Sequence, residues 1–369
     1  MLYGLRFVPD HPVYRLQDGF GYFLEDGLEC IAFGPHCFPE WFRPVLSASS
    51  GLRQRCRDVH REARKQNQAV RNSIVAVWTS QGDVQALCEN VRRKLNTWGF
   101  KAQDLIDALC TLFNFLYDET LESKSFEHAA GRSLLDHYNA FRALGQRVCP
   151  FCGLNYYADR DGGARSGYDH FLPRVHYPLA AVNFRNLVPM CDDCNEPPRK
   201  GTKDVLFGDK GRKTRRRFYY PYSKPGGVEF SVQCTQRPKP SNVTGTWKVR
   251  VKPMRPAEKE LVSGWDSVFG VQIRFSARVR EGLEGWMKDF LSSRDYKTPP
   301  SLAQLRKDLL AKAVWLSKSE QLRTKAEAAP QAAAFRYMAE DAPDDMLGGY
   351  AAIATSAAVV EIPTALGRS

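Results

Sequence analysis

Two Cys-x-x-Cys steps, "CPFC" at Cys149 and Cys152 and "CDDC" at Cys191 and Cys194, stand 38 residues apart. Each short turn presents two thiolates about one metal radius apart, and two such turns complete the tetrahedral set that zinc takes. A redox Cys-x-x-Cys needs one pair and not two. The intervening stretch is rich in turn residues, with Pro150 and Gly153 around the first step, so metal has to hold it together; structural zinc supplies on the order of 10 kcal/mol to such sites. The pattern predicts a zinc-stapled module over residues 146–205. The other six cysteines, Cys30, Cys37, Cys56, Cys88, Cys110 and Cys234, follow no framework spacing and read as reduced thiols.

Around that module the 369-residue chain reads as α+β. Residues 1–50 carry Gly, Pro and aromatics in short runs ("GFGYFLEDGLECIAFGP") and predict short strands and turns. Residues 51–145 turn helical: Val84, Leu87, Val91, Leu95 and then Leu105, Leu109, Leu112, Phe113, Leu116 recur at steps of three and four. After the module, residues 206–255 form a basic β-rich segment in which "RRFYYPYSKPGGVEFSVQC" and "GTWKVRVKP" alternate as paired strands do. Residues 256–340 return to helix, with Val279, Leu283, Trp286, Phe290 on one stripe and Leu302, Leu305, Leu309, Leu316 on another. Residues 341–369 read as a tail with a short apolar run, "AAVVEIP", able to dock as a strand. The opening "MLYGLRFVPDHPV" has no signal-peptide character and no apolar run approaches the roughly 20 residues of a membrane span, so a cytoplasmic protein is expected.

The net charge of +12 is concentrated. Between Arg199 and Lys252 stand fifteen Lys or Arg against Asp204, Asp209 and Glu229, and the remainder of the chain balances. A stripe of one sign attracts polyanions by counterion release, although exposed basic runs are often only solvated surface. Arg215, Arg216 and Arg217 are its densest point, and Tyr219, Tyr220, Tyr222 and Trp247 are available for packing or stacking.

Within the module, "YDHFLP" places Asp169 beside His170, Asn186 precedes "LVPMC", and Asn195 follows Cys194 directly. The arrangement "CPFC … YDHFLP … NFRNLVPMCDDCN" resembles the HNH nuclease family, over residues 148–203, and five spaced features carry it: both knuckles, the Asp-His step, the Asn-Leu before the second knuckle, and the Cys-Asn. The resemblance implies a ββα-metal fold, two strands and a helix around one divalent cation, and an endonuclease that hydrolyses phosphodiester bonds of DNA. It makes His170 the general base, an imidazole that takes a proton from the attacking water when its other nitrogen is held. Asp169, a hard oxygen donor, would bind Mg²⁺ or Mn²⁺, with Asn195 as second ligand. Asn186 would brace the loop carrying the base, with Asn183 as the alternative, and Arg199 and Lys200 would reach a phosphate. His176, nearby, reads as a surface histidine. The chain departs from the family after Asn195: "CNEPPRKGTKD" puts Pro197 and Pro198 where the helix should continue, which predicts a short or displaced helix.

Two other readings stay open at this point, a non-catalytic zinc-ribbon module that binds nucleic acid or acts as a scaffold, and a nuclease directed at RNA. The wording "DHFLPR…YPLAAVNFRNLVP" looks like nucleases of bacterial restriction and anti-phage systems, by analogy alone, and such a nuclease would have room for a protein partner such as an ATPase or sensor of a defence system.

Overall fold

A computed structural model describes residues 1–158, 167–208, 211–237, 245–294, 296, 298 and 300–356. The fold is α+β, mostly helical with two small antiparallel sheets. No helix among the described residues is long and apolar enough to cross a membrane.

The first fifty residues correct the expectation of strands. Arg15–Glu25 is a helix that buries Leu16, Phe20, Phe23 and Leu24, a spacing of four, three and one that lines a single helical face. Gly19 and Gly21, which suggested turns, lie within it. A Cβ at Gly19 would stand 3.0 Å from the Trp41 ring, so the missing side chain lets that indole close on the helix, whereas one at Gly21 would meet Trp78 at 3.4 Å, near ordinary contact.

Helical periodicity is better respected beyond. Ser50–Arg64 starts on Ser49, whose Oγ accepts from the Leu52 amide, and buries Leu52, Cys56, Val59 and Ala63 against the Gln103–Phe115 helix, which offers Leu105, Leu109, Leu112 and Phe113. The run from Val84 stops early: the helix ends at Glu89, Asn90 is extended, and Val91 is exposed. Arg92, Arg93 and Lys94 supply three charges there that no core face can absorb.

In the middle of the chain, β1 (Tyr168–His170) pairs with β2 (Leu187–Pro189), matching Tyr168 with Pro189, Asp169 with Val188 and His170 with Leu187. One helical turn, Asp192–Asn195, follows. The second sheet joins β3 (Val228–Gln236) to β4 (Thr246–Pro253), with an irregularity between Cys234 and Gln236. Helices Lys259–Phe269, Val271–Ser292, Leu302–Leu316 and Ala328–Glu340 pack beyond it. On Val271–Ser292 the buried stripe runs through Met287, leaving Trp286 half-buried. The predicted tail opens with a helix, Asp344–Ser356; "AAVVEIP" lies outside the described residues.

The module is walled in from both ends of the chain. The Leu2 amide donates to Pro150 O, and the Trp265 indole N–H donates to Phe151 O at 2.8 Å, so the N-terminal segment and the Lys259–Phe269 helix both clasp the first knuckle.

Candidate metal and catalytic site

The four module cysteines are buried, and their sulfurs all lie within 4.8 Å of one another. Cys152 Sγ and Cys191 Sγ stand 3.8 Å apart. Zinc–sulfur bonds of about 2.3 Å in a tetrahedron put sulfurs about 3.8 Å apart, so the set can hold zinc with little adjustment. Gly153 adopts φ +67°, the left-handed turn the first knuckle needs, and its amide returns to Cys149 O at 2.8 Å. Donors already point at the sulfurs: the Leu154 amide at Cys152 (3.4 Å), the Asn155 amide group at Cys191 (3.7 Å) and the Arg274 guanidinium at Cys194 (3.4 Å). Arg274 is buried, which opposes its charge, yet the Cys194 and Cys152 sulfurs hold it more firmly protonated than usual. Arg274 also bonds Asp193, and nothing in its helical surroundings in sequence marked it for this place.

On β1, Asp169 and His170 point their groups into different company. His170 Nε2 lies 2.9 Å from Ala181 O. A carbonyl only accepts, so Nε2 carries the proton and Nδ1 is left bare as a base. Burial, chiefly, pushes the imidazole pKa down to about 3, and Arg174 and Lys200 act the same way, so the ring is neutral at ordinary pH. Its ring packs against Tyr117 at a tilt of 59°, with ring centroids 4.3 Å apart. Tyr117 sits in a π-helical turn, Leu116–Thr120, and its hydroxyl donates to Tyr168 O at 2.8 Å, fixing the strand and the imidazole together. The sequence pattern placed Tyr117 in a helical run and carried no sign of this role.

Asp169 is buried, and its Oδ2 has no hydrogen-bond partner. Burial raises its pKa above the usual carboxylate value, opposed by Lys200. The Lys200 ammonium is 3.4 Å from that oxygen, within ion-pair range but without hydrogen-bond geometry, and donates instead to His170 O (3.1 Å) and Gly201 O (3.2 Å). Lys200 is fully buried, which corrects the expectation that it reaches out to a phosphate. It ties the turn after Asn195 back onto the strand that carries both reactive groups. A buried carboxylate oxygen with unused lone pairs fits a hard divalent cation.

Asn186 is fully buried and saturated. Its Oδ1 accepts from the Leu172 amide at 2.7 Å, and its Nδ2 donates to Leu172 O and Ala180 O. It therefore clamps the exit of β1 to the turn that carries Ala181, whose carbonyl holds His170. Asn183 is used elsewhere, donating to Gly82 O. Asn195 is half-buried at the end of its single helical turn, and its Nδ2 would lie 3.5 Å from a Cβ at Gly167, two residues before Asp169. The chain turns extended at Glu196, ahead of the two prolines. His176 is half-exposed.

The basic stripe divides in two. Arg215 donates to Leu87 O and Arg216 to Val205 O, while Arg217 bonds Ala257 O and Glu260. These three guanidiniums are occupied in tying the chain together, against the expectation of a phosphate-tracking surface. Tyr219, Tyr220 and Trp247 are buried and Tyr222 donates to Leu187 O, so these rings pack and do not stack bases. Alternation on β4 instead exposes Lys248, Arg250 and Lys252 in a row, opposite Gln233, Ser231 and Glu229 of β3. Arg199 is half-buried, and its Nε has no hydrogen-bond partner.

No family model matches the chain, and no solved structure matches it. Protein ea31 of Escherichia phage lambda is 31% identical over 134 residues, covering 32% of this chain and 40% of the phage protein. The chain thus spans less than half the length of that relative.

Proposed function

We propose that the chain is a metal-dependent HNH-type endonuclease that hydrolyses phosphodiester bonds of DNA. One observation carries this reading: adjacent residues of β1 supply a buried carboxylate oxygen without a hydrogen-bond partner and an imidazole held by a carbonyl so that Nδ1 is free to take a proton. Zinc on the four cysteines would fix the module. Mg²⁺ or Mn²⁺ on Asp169 and Asn195, when bound, would polarise the scissile phosphate and stabilise the leaving 3′ oxygen. His170 Nδ1 takes the proton of the water that attacks phosphorus, and burial keeps it in the neutral form that can do so. An anionic phosphate beside it raises its proton affinity toward the working range. Asn186 keeps Ala181 O aligned with Nε2, and the β4 row supplies sequence-blind attraction to the backbone. In a cell, such an enzyme fits an effector of anti-phage defence or restriction, switched by a protein partner.

One observation favours a second reading, a non-catalytic zinc-ribbon module. The Lys200 ammonium already neutralises Asp169 from 3.4 Å, which gives the carboxylate a structural occupation. Incubating the purified protein with plasmid DNA and with RNA in Mg²⁺, Mn²⁺ or EDTA separates the readings. Cleavage of plasmid that needs the cation and vanishes in His170→Ala supports the nuclease; binding without cleavage under every ion supports the module; cleavage of RNA alone moves the substrate.

A further inference from the structure

We propose that Cys30, His36 and Cys37 form a second zinc site, with three protein ligands and a fourth position open to solvent. Their ligand atoms lie within 4.8 Å of one another, the same closeness as in the four-cysteine cluster. The spacing gave no hint, because five residues separate Cys30 from His36 and Cys37 follows at once, a pattern unlike paired knuckles.

The loop that carries them is built to hold this shape. Cys30 follows the one-turn 3-10 helix Gly27–Glu29, and Cys37 ends another, Pro35–Cys37. His60, from the Ser50–Arg64 helix, bonds Cys30 O at 2.9 Å and anchors the first ligand. A Cβ at Gly27 would stand 2.4 Å from Cys37 O, so only glycine lets the two ends of the loop close. A Cβ at Gly34 would stand 2.8 Å from His36 Nδ1 and Cε1, which shows the imidazole folded back over the loop instead of extended into water. The Gly34 amide donates to Cys37 Sγ at 3.3 Å, the counterpart of the Leu154 amide on Cys152. Cys37 Sγ also lies 3.6 Å from Ala32 O, which takes the proton of the free thiol, so zinc binding there releases that proton.

Donor chemistry selects the ion. Two thiolates and one imidazole suit zinc and exclude the hard Mg²⁺. Cys37 is fully buried, Cys30 half-buried and His36 exposed, so the free vertex faces solvent. Zinc held this way exchanges faster than zinc enclosed by four buried sulfurs.

The test is metal analysis of the full-length protein purified with zinc and desalted. About two zinc ions per chain are expected, one of them removed quickly by EDTA and the other slowly. His36→Ala and Cys30→Ser should each lose the fast equivalent and keep the slow one, whereas Cys191→Ser loses the slow one. His36 is on the surface, so its variant keeps the fold, checked by circular dichroism, even if Cys30→Ser does not. Cobalt in the fast site should show thiolate charge-transfer absorption that His36→Ala weakens. A wild-type protein with a single zinc, or a His36→Ala protein that retains both, would overturn the proposal.

Discussion

Cys149, Cys152, Cys191 and Cys194 turn their sulfurs on one another in a space closed by the N-terminal segment and the C-terminal helices, whereas Asp169 and His170, a short distance along the same module, keep a carboxylate oxygen that faces the Lys200 ammonium without a hydrogen bond and an imidazole Nδ1 that the Ala181 contact leaves unused. The first arrangement can place all four donors on one ion, with no vertex left for a substrate. The second holds reactive groups rigidly through their neighbours, Ala181, Asn186, Tyr117 and Lys200, while leaving the groups themselves available. On the proposed reading stability and chemistry fall to different residues, and substitutions should separate them.

The largest effect should come from Cys191→Ser. Zinc on the full set would supply folding energy on the order of 10 kcal/mol, and losing one of four ligands forfeits much of it, so residues around the module should lose order together with their zinc, read by metal content and proteolysis. His170→Ala should break the other half alone: cleavage falls roughly a hundredfold or more while zinc content and nucleic-acid binding stay near wild type. If cleavage of a substrate that wild type cuts in Mn²⁺ were unchanged, the second cluster would be structural like the first.

Asn186→Ala crosses the boundary between the two. It strands the Leu172 amide and two carbonyls in a buried place, costing about 2–3 kcal/mol in denaturant unfolding, and it loosens Ala181, so cleavage should drop as well. A smaller effect concerns pH. His137 is buried between Tyr168 Oη (2.5 Å) and Tyr14 Oη (2.9 Å), and burial, with His11, pushes its pKa down to about 3. The unfolded chain takes up a proton near pH 6.5 that the folded chain refuses, so stability is full above that value and falls as pH drops toward 3. Between pH 6.5 and 5 His137 accounts for a loss of about 2 kcal/mol and the equally depressed His170 for a similar one, so His137→Gln should roughly halve that slope in urea titrations.

The smallest effect sharpens the division of the basic stripe. Lys248→Ala with Arg250→Ala should lower the salt dependence of DNA binding by roughly two phosphate contacts without changing melting. Arg215→Ala and Arg216→Ala should do the reverse, lowering the melting temperature and leaving the salt slope alone. The opposite outcome would return the phosphate surface to the arginine triplet.

The clustering of the four cysteines was legible in the sequence because two Cys-x-x-Cys steps in one stretch ask for a shared ion, the Asp-His step and Asn186 were at least marked out as a local pattern, and most helices were legible because an apolar face repeats at helical steps. The first fifty residues misled because Gly19 and Gly21 signal turns locally, and only Trp41, supplied by another element, shows why glycine is wanted at Gly19 inside a helix. Charge misled for a related reason. Counting Lys and Arg locates a stripe, but whether a guanidinium faces phosphate or a neighbouring carbonyl depends on Leu87, Val205 and Ala257, up to 128 positions away.

What the sequence determined by itself is the local grouping of residue types: each Cys-x-x-Cys step, Asp169 beside His170, and the prolines that follow Asn195 where its helical turn stops. What only the tertiary structure decided is which of those groups are used up and which are left over. Tyr117 under His170, Lys200 beside Asp169, Arg274 on Cys194 and His36 folded onto two thiols are all set by packing between distant segments, and burial there gives a lone pair or a charge its consequence, since water no longer screens it or fills it.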